Sequence, residues 1–342
     1  MFRPTLYLFS IAFAGQAIAE APSVAVDIAP VHSLVARVMD GVGEPSLIIP
    51  PGASPHDHAM RPSEARSLQS AEIVFWTGEE LTPWLAKPLG ALSPDALHVS
   101  LLDADGTILY EFRDATDHDD HDDHDDHDDH DDRADHDGHD DHADYDDHAG
   151  HDDHDDHAGH ADDHGHDHEG VDPHAWLDPE NARIWVQVIA ATLSEADPEN
   201  ADVYQQNAAT ADRELVELKE KIMTDLTDMQ TLSFITFHDA YQYFEKRFGL
   251  ESSGAVSLGD ASSPGPARLA ALREKVEHEG IVCAFSEPQF DKRLVRTAIE
   301  GTGATIFELD PVGVSFDTGI SHYDSLLMAM SAGYQDCSKS KS

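Results

Sequence analysis

Two sets of residues in this 342-residue chain have the types and spacing to do chemistry. The first is a tract from Asp117 to His168 that repeats Asp-Asp-His on a three-residue beat. It holds His118, His121, His124, His127, His130, His136, His139, His142, His148, His151, His154, His157, His160, His164, His166 and His168, interleaved with 25 aspartates and one cation, Arg133. Imidazole nitrogen and carboxylate oxygen side by side are ligands for Zn²⁺ and its neighbours, so this composition reads as a metal-binding segment. With no Val, Ile, Leu or Phe, the tract buries too little apolar surface to offset its ordering entropy, and it is predicted to be disordered without a ligand. The plain alternative is a solvated acidic linker, but a linker has no use for regularly spaced histidine. The second set is His56, His174, His238 and Asp310. Each directly follows an apolar run, in a loop broken by Pro or Gly. Three imidazoles and a carboxylate match the four-coordinate demand of Zn²⁺. Taken singly, each histidine reads as an ordinary loop or core residue. Their common placement makes them a set. Asp57 and Asp239, each adjacent to a histidine, are candidates to support those rings from behind.

The elements that must position these residues are short apolar strands alternating with amphipathic helices. Strands are predicted at 23–29, 46–49, 72–76, 232–237, 281–286 and 305–309. Helices are predicted at 33–39, from Arg61-Pro62-Ser63-Glu64, around 81–89, and at 179–193, 241–248, 267–279, 291–300 and 323–334, with a Gly/Ser/Pro loop over 254–266. This alternation indicates an α/β fold with mostly parallel sheets. From Pro198 to Met229 there is no Gly and no internal Pro, and Leu215, Leu218, Ile222 and Leu226 recur at helical spacing. The domain reading follows. Residues 1–19 are a signal peptide, 20–197 an N-terminal α/β lobe interrupted by the 117–168 tract, 198–229 a stiff linking helix, and 230–342 a C-terminal α/β lobe. In open α/β sheets ligands bind at the carboxyl ends of strands. Two of the four candidate ligands fall in each lobe, which predicts a site in the cleft between them.

Composition narrows the partners. The formal charge of −47 resides about half in the His/Asp tract, yet the rest is still acidic, which argues against nucleic acid or an anionic membrane. Arg3, the apolar run to Ala14 and Ala17-Ile18-Ala19 form a secretory signal with cleavage expected after Ala19. No cysteine near the cut offers a lipid attachment point, and no later segment reaches 18 uninterrupted apolar residues. The mature protein is expected to be exported, soluble and without a lipid anchor. Its two cysteines, Cys283 and Cys337, can form one disulfide that ties down the C-terminal helix, remain free thiols, or ligate a metal.

The segments Gly52-Ala53-Ser54-Pro55-His56-Asp57 with Arg61-Pro62-Ser63, Asp172-Pro173-His174-Ala175-Trp176-Leu177-Asp178-Pro179, Phe237-His238-Asp239-Ala240-Tyr241, Ser286-Glu287-Pro288-Gln289-Phe290 and Leu309-Asp310-Pro311 span nearly the whole mature chain. In this order they resemble the ZnuA-type zinc receptors of ABC transporters, within the wider family of metal-binding solute receptors. The resemblance implies that His56, His174 and His238 are zinc ligands, with the His-rich loop between the first two motifs. Asp310 stands where manganese-type relatives supply a carboxylate, a position that varies in zinc-type members and that water can fill. Manganese-type relatives usually carry Glu where this chain has His238, and a third imidazole favours Zn²⁺ over the harder Mn²⁺. The resemblance also implies a Cys283–Cys337 disulfide, two lobes joined by a long helix, an inner-membrane zinc ABC permease as partner, and a periplasmic location. The expected function is capture of Zn²⁺ as transported ligand by a monomeric receptor that is not an enzyme. His58 falls where the family often has an aromatic and reads as a bystander, Glu287 as structural or permease-facing, and His32, His98, His278 and His322 as ordinary histidines. The alternatives are a manganese-type receptor, a periplasmic zinc buffer or chaperone, and a three-His zinc hydrolase. The hydrolase lacks support because no H-E-x-x-H pattern occurs.

Overall fold

The computed structural model describes residues 21–113, 170–257 and 264–340. The predicted signal peptide and the His/Asp tract with its sixteen histidines lie outside the described residues. Among the described residues there are two four-stranded, all-parallel sheets. The first has the order β2-β1-β3-β4, built from β1 (Val24–Val26), β2 (Ser46–Leu47), β3 (Ile73–Trp76) and β4 (Leu97–Ser100). The second repeats that topology as β6-β5-β7-β8, from β5 (Phe234–His238), β6 (Ala255–Ser257), β7 (Cys283–Ser286) and β8 (Thr305–Glu308). In both, the first strand is central and the chain steps to one side and then to the other, so each sheet has a topological switch point at that strand. The inner strands VAV, IVFW, FITFH and CAFS are buried at every residue, as parallel strands covered on both faces must be.

Helices α1 (Ala29–Val38), α2 (Pro62–Ser70), α3 (Pro83–Leu92) and α4 (Pro179–Ala196) belong to the first half, and α6 (Gln242–Phe248), α7 (Pro266–His278) and α8 (Lys292–Ala298) to the second. Proline at the first or second position starts α1, α2, α3, α4 and α7, where its missing N–H costs nothing. Asp178 caps α4 by accepting from the Glu180 amide, and Arg247 grips the same carboxylate with two bonds of 2.7 Å. The predicted 198–229 helix is α5 (Ala201–Asp225), shorter at both ends. Its start is displaced because Asp197 organises the preceding turn, accepting from Asn200 Nδ2 and the Tyr204 hydroxyl. Tyr204, Ala208, Ala211, Leu215, Leu218 and Ile222 form its buried stripe, which packs on α4, α1 and the C-terminal helix α9 (His322–Ser340). The connector is thus supported along its length. The predicted disulfide is present between Cys283 at the start of β7 and Cys337 on α9.

Two predicted boundaries need correction. The segment assigned as a Gly/Ser/Pro loop over 254–266 contains β6, and β4 had no predicted counterpart. Both are short edge strands, and β6 has only Val256 as a strongly apolar residue, so local pattern says little about them. A single buried cluster includes Val26 and Phe75 from the first sheet, Phe234 and Phe285 from the second, and Tyr334 of α9. The smaller cluster, with Ile235, Val256, Leu272 and Val295, lies within the second sheet and its helices. Side chains from both sheets therefore contribute to one continuous core.

Candidate metal centre

His56 sits in the Pro/Gly loop after β2, where Trp84 Nε1 donates to the Pro55 carbonyl at 2.7 Å and holds the loop down. His174 follows the loop that bridges back to α4. Its backbone N–H and its ring Nδ1 both meet Asp172 Oδ1, at 3.0 and 2.7 Å. His238 is the last residue of β5, at the switch point of the second sheet. The three imidazoles converge. Each offers one nitrogen such that all three atoms lie within 4.8 Å of one another, the one group of metal-ligand type found among the described residues. Ring centroids are 5.4 Å apart for His56–His174, 6.0 Å for His56–His238 and 5.2 Å for His174–His238.

The far side of two rings decides the chemistry. His174 Nδ1 faces Asp172, which is fully buried and also accepts from Gln242 Nε2 at 3.0 Å. His238 Nδ1 faces Glu287 Oε1 at 2.6 Å, with Glu287 only 1% exposed. Both carboxylates accept, so Nδ1 is the donating nitrogen of each ring, and the neutral ring presents its Nε2 lone pair. The two Nε2 atoms are 3.4 Å apart. In the neutral rings both of these atoms are acceptors, and their lone pairs favour a cation between them. A tetrahedral ion at about 2.0–2.1 Å from each nitrogen would set them about 3.3–3.4 Å apart. Burial, with the Glu287 charge nearby, holds the Tyr241 phenol well above its usual range, so its hydroxyl stays a neutral donor beside the centre.

Several expectations resolve differently. Asp310 is not in the histidine group. Its Oδ1 accepts from Gln289 Nε2 and the Val312 amide, and its Oδ2 from the Val314 amide at 2.5 Å. It closes the turn after β8. Asp57 is exposed, and Asp239 pairs with Arg113, which also reaches Glu245 at 2.7 Å. The supporting carboxylates are instead Asp172 and Glu287. Burial raises Glu245 to about 7 despite the Arg113 guanidinium. His58, expected as a bystander, bonds Glu64 at 2.8 Å and meets the Trp84 ring edge-on, outside the group. Glu287 and Gln289 were detectable in principle. Glu287 follows β7 directly, the same placement that singled out the histidines, and Gln289 lies two residues further on.

The family described as "Zinc-uptake complex component A periplasmic" (ZnuA) matches residues 24–337. This chain belongs to that family. The ZnuA high-affinity zinc uptake system protein of Paracoccus denitrificans is 45% identical over 98% of this chain and 99% of its own length. Its counterpart in Brucella abortus is 41% identical over 96% of each. Among solved structures, a crystal structure of ZnuA superposes with a TM-score of 0.69 at 19% identity, covering 94% of this chain and all of the other. A zinc-bound ZnuA deletion mutant gives 0.67 at 20% identity over 93% of this chain and 97% of the other. At these identities the structural likenesses establish the fold, and the sequence relatives establish the family. ZnuA-family members are transport receptors, so the hydrolase alternative falls away. Among the described residues no helix is long and apolar enough to cross a membrane.

Proposed function

We propose that this ZnuA-family chain captures Zn²⁺ in the periplasm through His56, His174 and His238 and delivers it to an inner-membrane ABC permease. The observation that carries the reading is the His174–His238 pair, whose Nε2 lone pairs are turned toward each other by buried carboxylates behind the rings. Three neutral imidazoles suit Zn²⁺ better than the oxygen-seeking Mn²⁺. In this reading residues 1–19 are removed on export, the lobes are residues 20–197 and 230–342 joined by the 198–229 segment, and the receptor acts as a monomer. The 117–168 tract is an auxiliary that concentrates cations near the tight site. Docking on the permease must weaken at least one imidazole contact to release the ion, and His56, on a surface loop, is the ligand whose displacement disturbs the core least.

The test is zinc titration against a competing chelator on three mature proteins: full-length, one lacking 117–168, and His174→Ala. One tight site that survives the deletion and disappears in His174→Ala is the expected result. Tight binding that leaves with the tract would overturn the receptor reading in favour of a His/Asp buffer.

A further inference from the structure

Three imidazoles leave one vertex of a tetrahedral zinc site open. The cavity they border has a free volume of about 20 Å³, enough for one water-sized species. Besides the histidines, its polar lining is Ser54, Glu287 and Gln289. Glu287 is engaged with His238, and Ser54 Oγ accepts from the His56 amide at 3.3 Å. Gln289 differs. Its Nε2 donates to Asp310 Oδ1 at 2.9 Å, while its Oε1 is buried and has no hydrogen-bond partner. The orientation of this amide is forced, because an ionised carboxylate only accepts and the NH₂ end must therefore face Asp310. The oxygen is left on the other side. A buried carbonyl oxygen without a partner is costly, and it points to something the site is built to receive.

Asp310 itself is poorly placed to be that fourth group. It does not line the cavity, and three donors hold its two oxygens. Turning it toward an ion would break the bonds that close the turn at 310–314. That turn is tightly built: Gly313 has φ 72°, and a Cβ there would meet His322 Nε2 at 3.0 Å.

We propose that Gln289 Oε1 is the oxygen that faces the fourth coordination position of the bound cation, and that Asp310 acts one step back by orienting the Gln289 amide. This deepens the zinc-receptor reading and rests on it. A neutral oxygen completes the coordination without adding charge, which keeps the site selective for Zn²⁺ and lets the ion leave. A carboxylate at the same position would add negative charge and favour harder cations such as Mn²⁺.

The experiment uses mature Gln289→Leu, Gln289→Glu and Asp310→Asn proteins. Zn²⁺ and Mn²⁺ affinities come from chelator competition, the zinc ligand set from X-ray absorption, and folding from metal-free melting. Gln289→Leu is expected to weaken zinc by about 10- to 100-fold, the usual effect of groups supporting a metal site, with unchanged metal-free melting and an altered absorption spectrum. Gln289→Glu is expected to narrow the preference for Zn²⁺ over Mn²⁺. Asp310→Asn, whose amide can pair with either end of Gln289, is expected to give the same spectral change with a smaller loss. The proposal fails if Gln289→Leu binds zinc within about twofold of wild type with an unchanged spectrum, or if Asp310→Asn loses more affinity than Gln289→Leu. His174→Ala run alongside separates this from the receptor reading. If it keeps the tight site, that reading fails; if it loses the site while Gln289→Leu does not, only the present proposal fails.

Discussion

Replacing Glu287 by Gln tests whether the zinc site is made by its ligands alone or also by the groups behind them. Glu287 is almost wholly buried and accepts the His238 Nδ1 proton at 2.6 Å, a charge-assisted bond. Glutamine keeps the size but removes the charge. Its oxygen then polarises the imidazole less, and if the NH₂ end turns inward the proton moves to Nε2 and points an N–H at the ion. Loss of such a partner typically weakens metal binding by about 10- to 100-fold. At about 1.36 kcal/mol per factor of ten, that is about 1.4–2.7 kcal/mol. Zinc at a hundred times its Kd stabilises the wild type by about 2.7 kcal/mol. At the same free zinc, a variant weakened a hundredfold would gain only about 0.4 kcal/mol. Chelator competition reads the affinity, and melting with and without zinc reads the stabilisation. The metal-free variant should melt near the wild type, since a neutral amide is easier to bury than a charge. A Glu287→Gln protein that binds zinc within about twofold of wild type would refute the argument that this carboxylate sets the His238 tautomer.

Two further predictions concern the scaffold. The Cys283–Cys337 bond spans 54 residues, so the loop-entropy model assigns it roughly 4 kcal/mol. The Cys283→Ala/Cys337→Ala protein should unfold at clearly lower denaturant in oxidising buffer, and equal midpoints would reject the assignment. Asp27, fully buried after β1, accepts from the Ile28 and Thr77 amides at 2.7 and 2.6 Å, yet burial raises it from 3.8 to about 6. A raised folded pKa means that its stabilising contribution is complete below about pH 4 and is lost as pH rises through about 6, roughly 3 kcal/mol at most. Carboxyl carbon NMR of Asp27 should show a midpoint near 6, whereas a midpoint near the ordinary 3.8 would contradict this.

Much of the site was legible before any coordinates. His56, His174 and His238 stand out because each follows an apolar run at a break marked by Pro or Gly, and parallel α/β sheets place such positions together. Strand and helix order was legible for the same reason: a fully apolar strand such as IVFW can only be buried. The edge strands β4 and β6 were not, because an edge strand with few strongly apolar residues carries little local signal. Asp239, a candidate support for His238 by its place in the chain, shows that adjacency in sequence does not settle which acid stands behind a ring. In a strand and the turn after it, successive side chains diverge, and Asp239 turns to Arg113.

The sequence by itself determined the residue types at the centre, the α/β class and the family, since these depend on composition and on order along the chain, whereas the pairing of Cys283 with Cys337 needed the fold to bring β7 and α9 together. Only the tertiary structure decided which acids stand behind which rings, that the Asp310 oxygens accept from Gln289 and from the Val312 and Val314 amides, and that Gln289, with a buried oxygen left without a partner, lines the cavity beside the histidines. These follow from how β5 and β7 pair, and from how the loops after them meet the loop entering α4. Hydrogen-bond partners separated by 49 residues, as His238 and Glu287 are, are chosen by strand pairing and packing, and no local pattern records that choice.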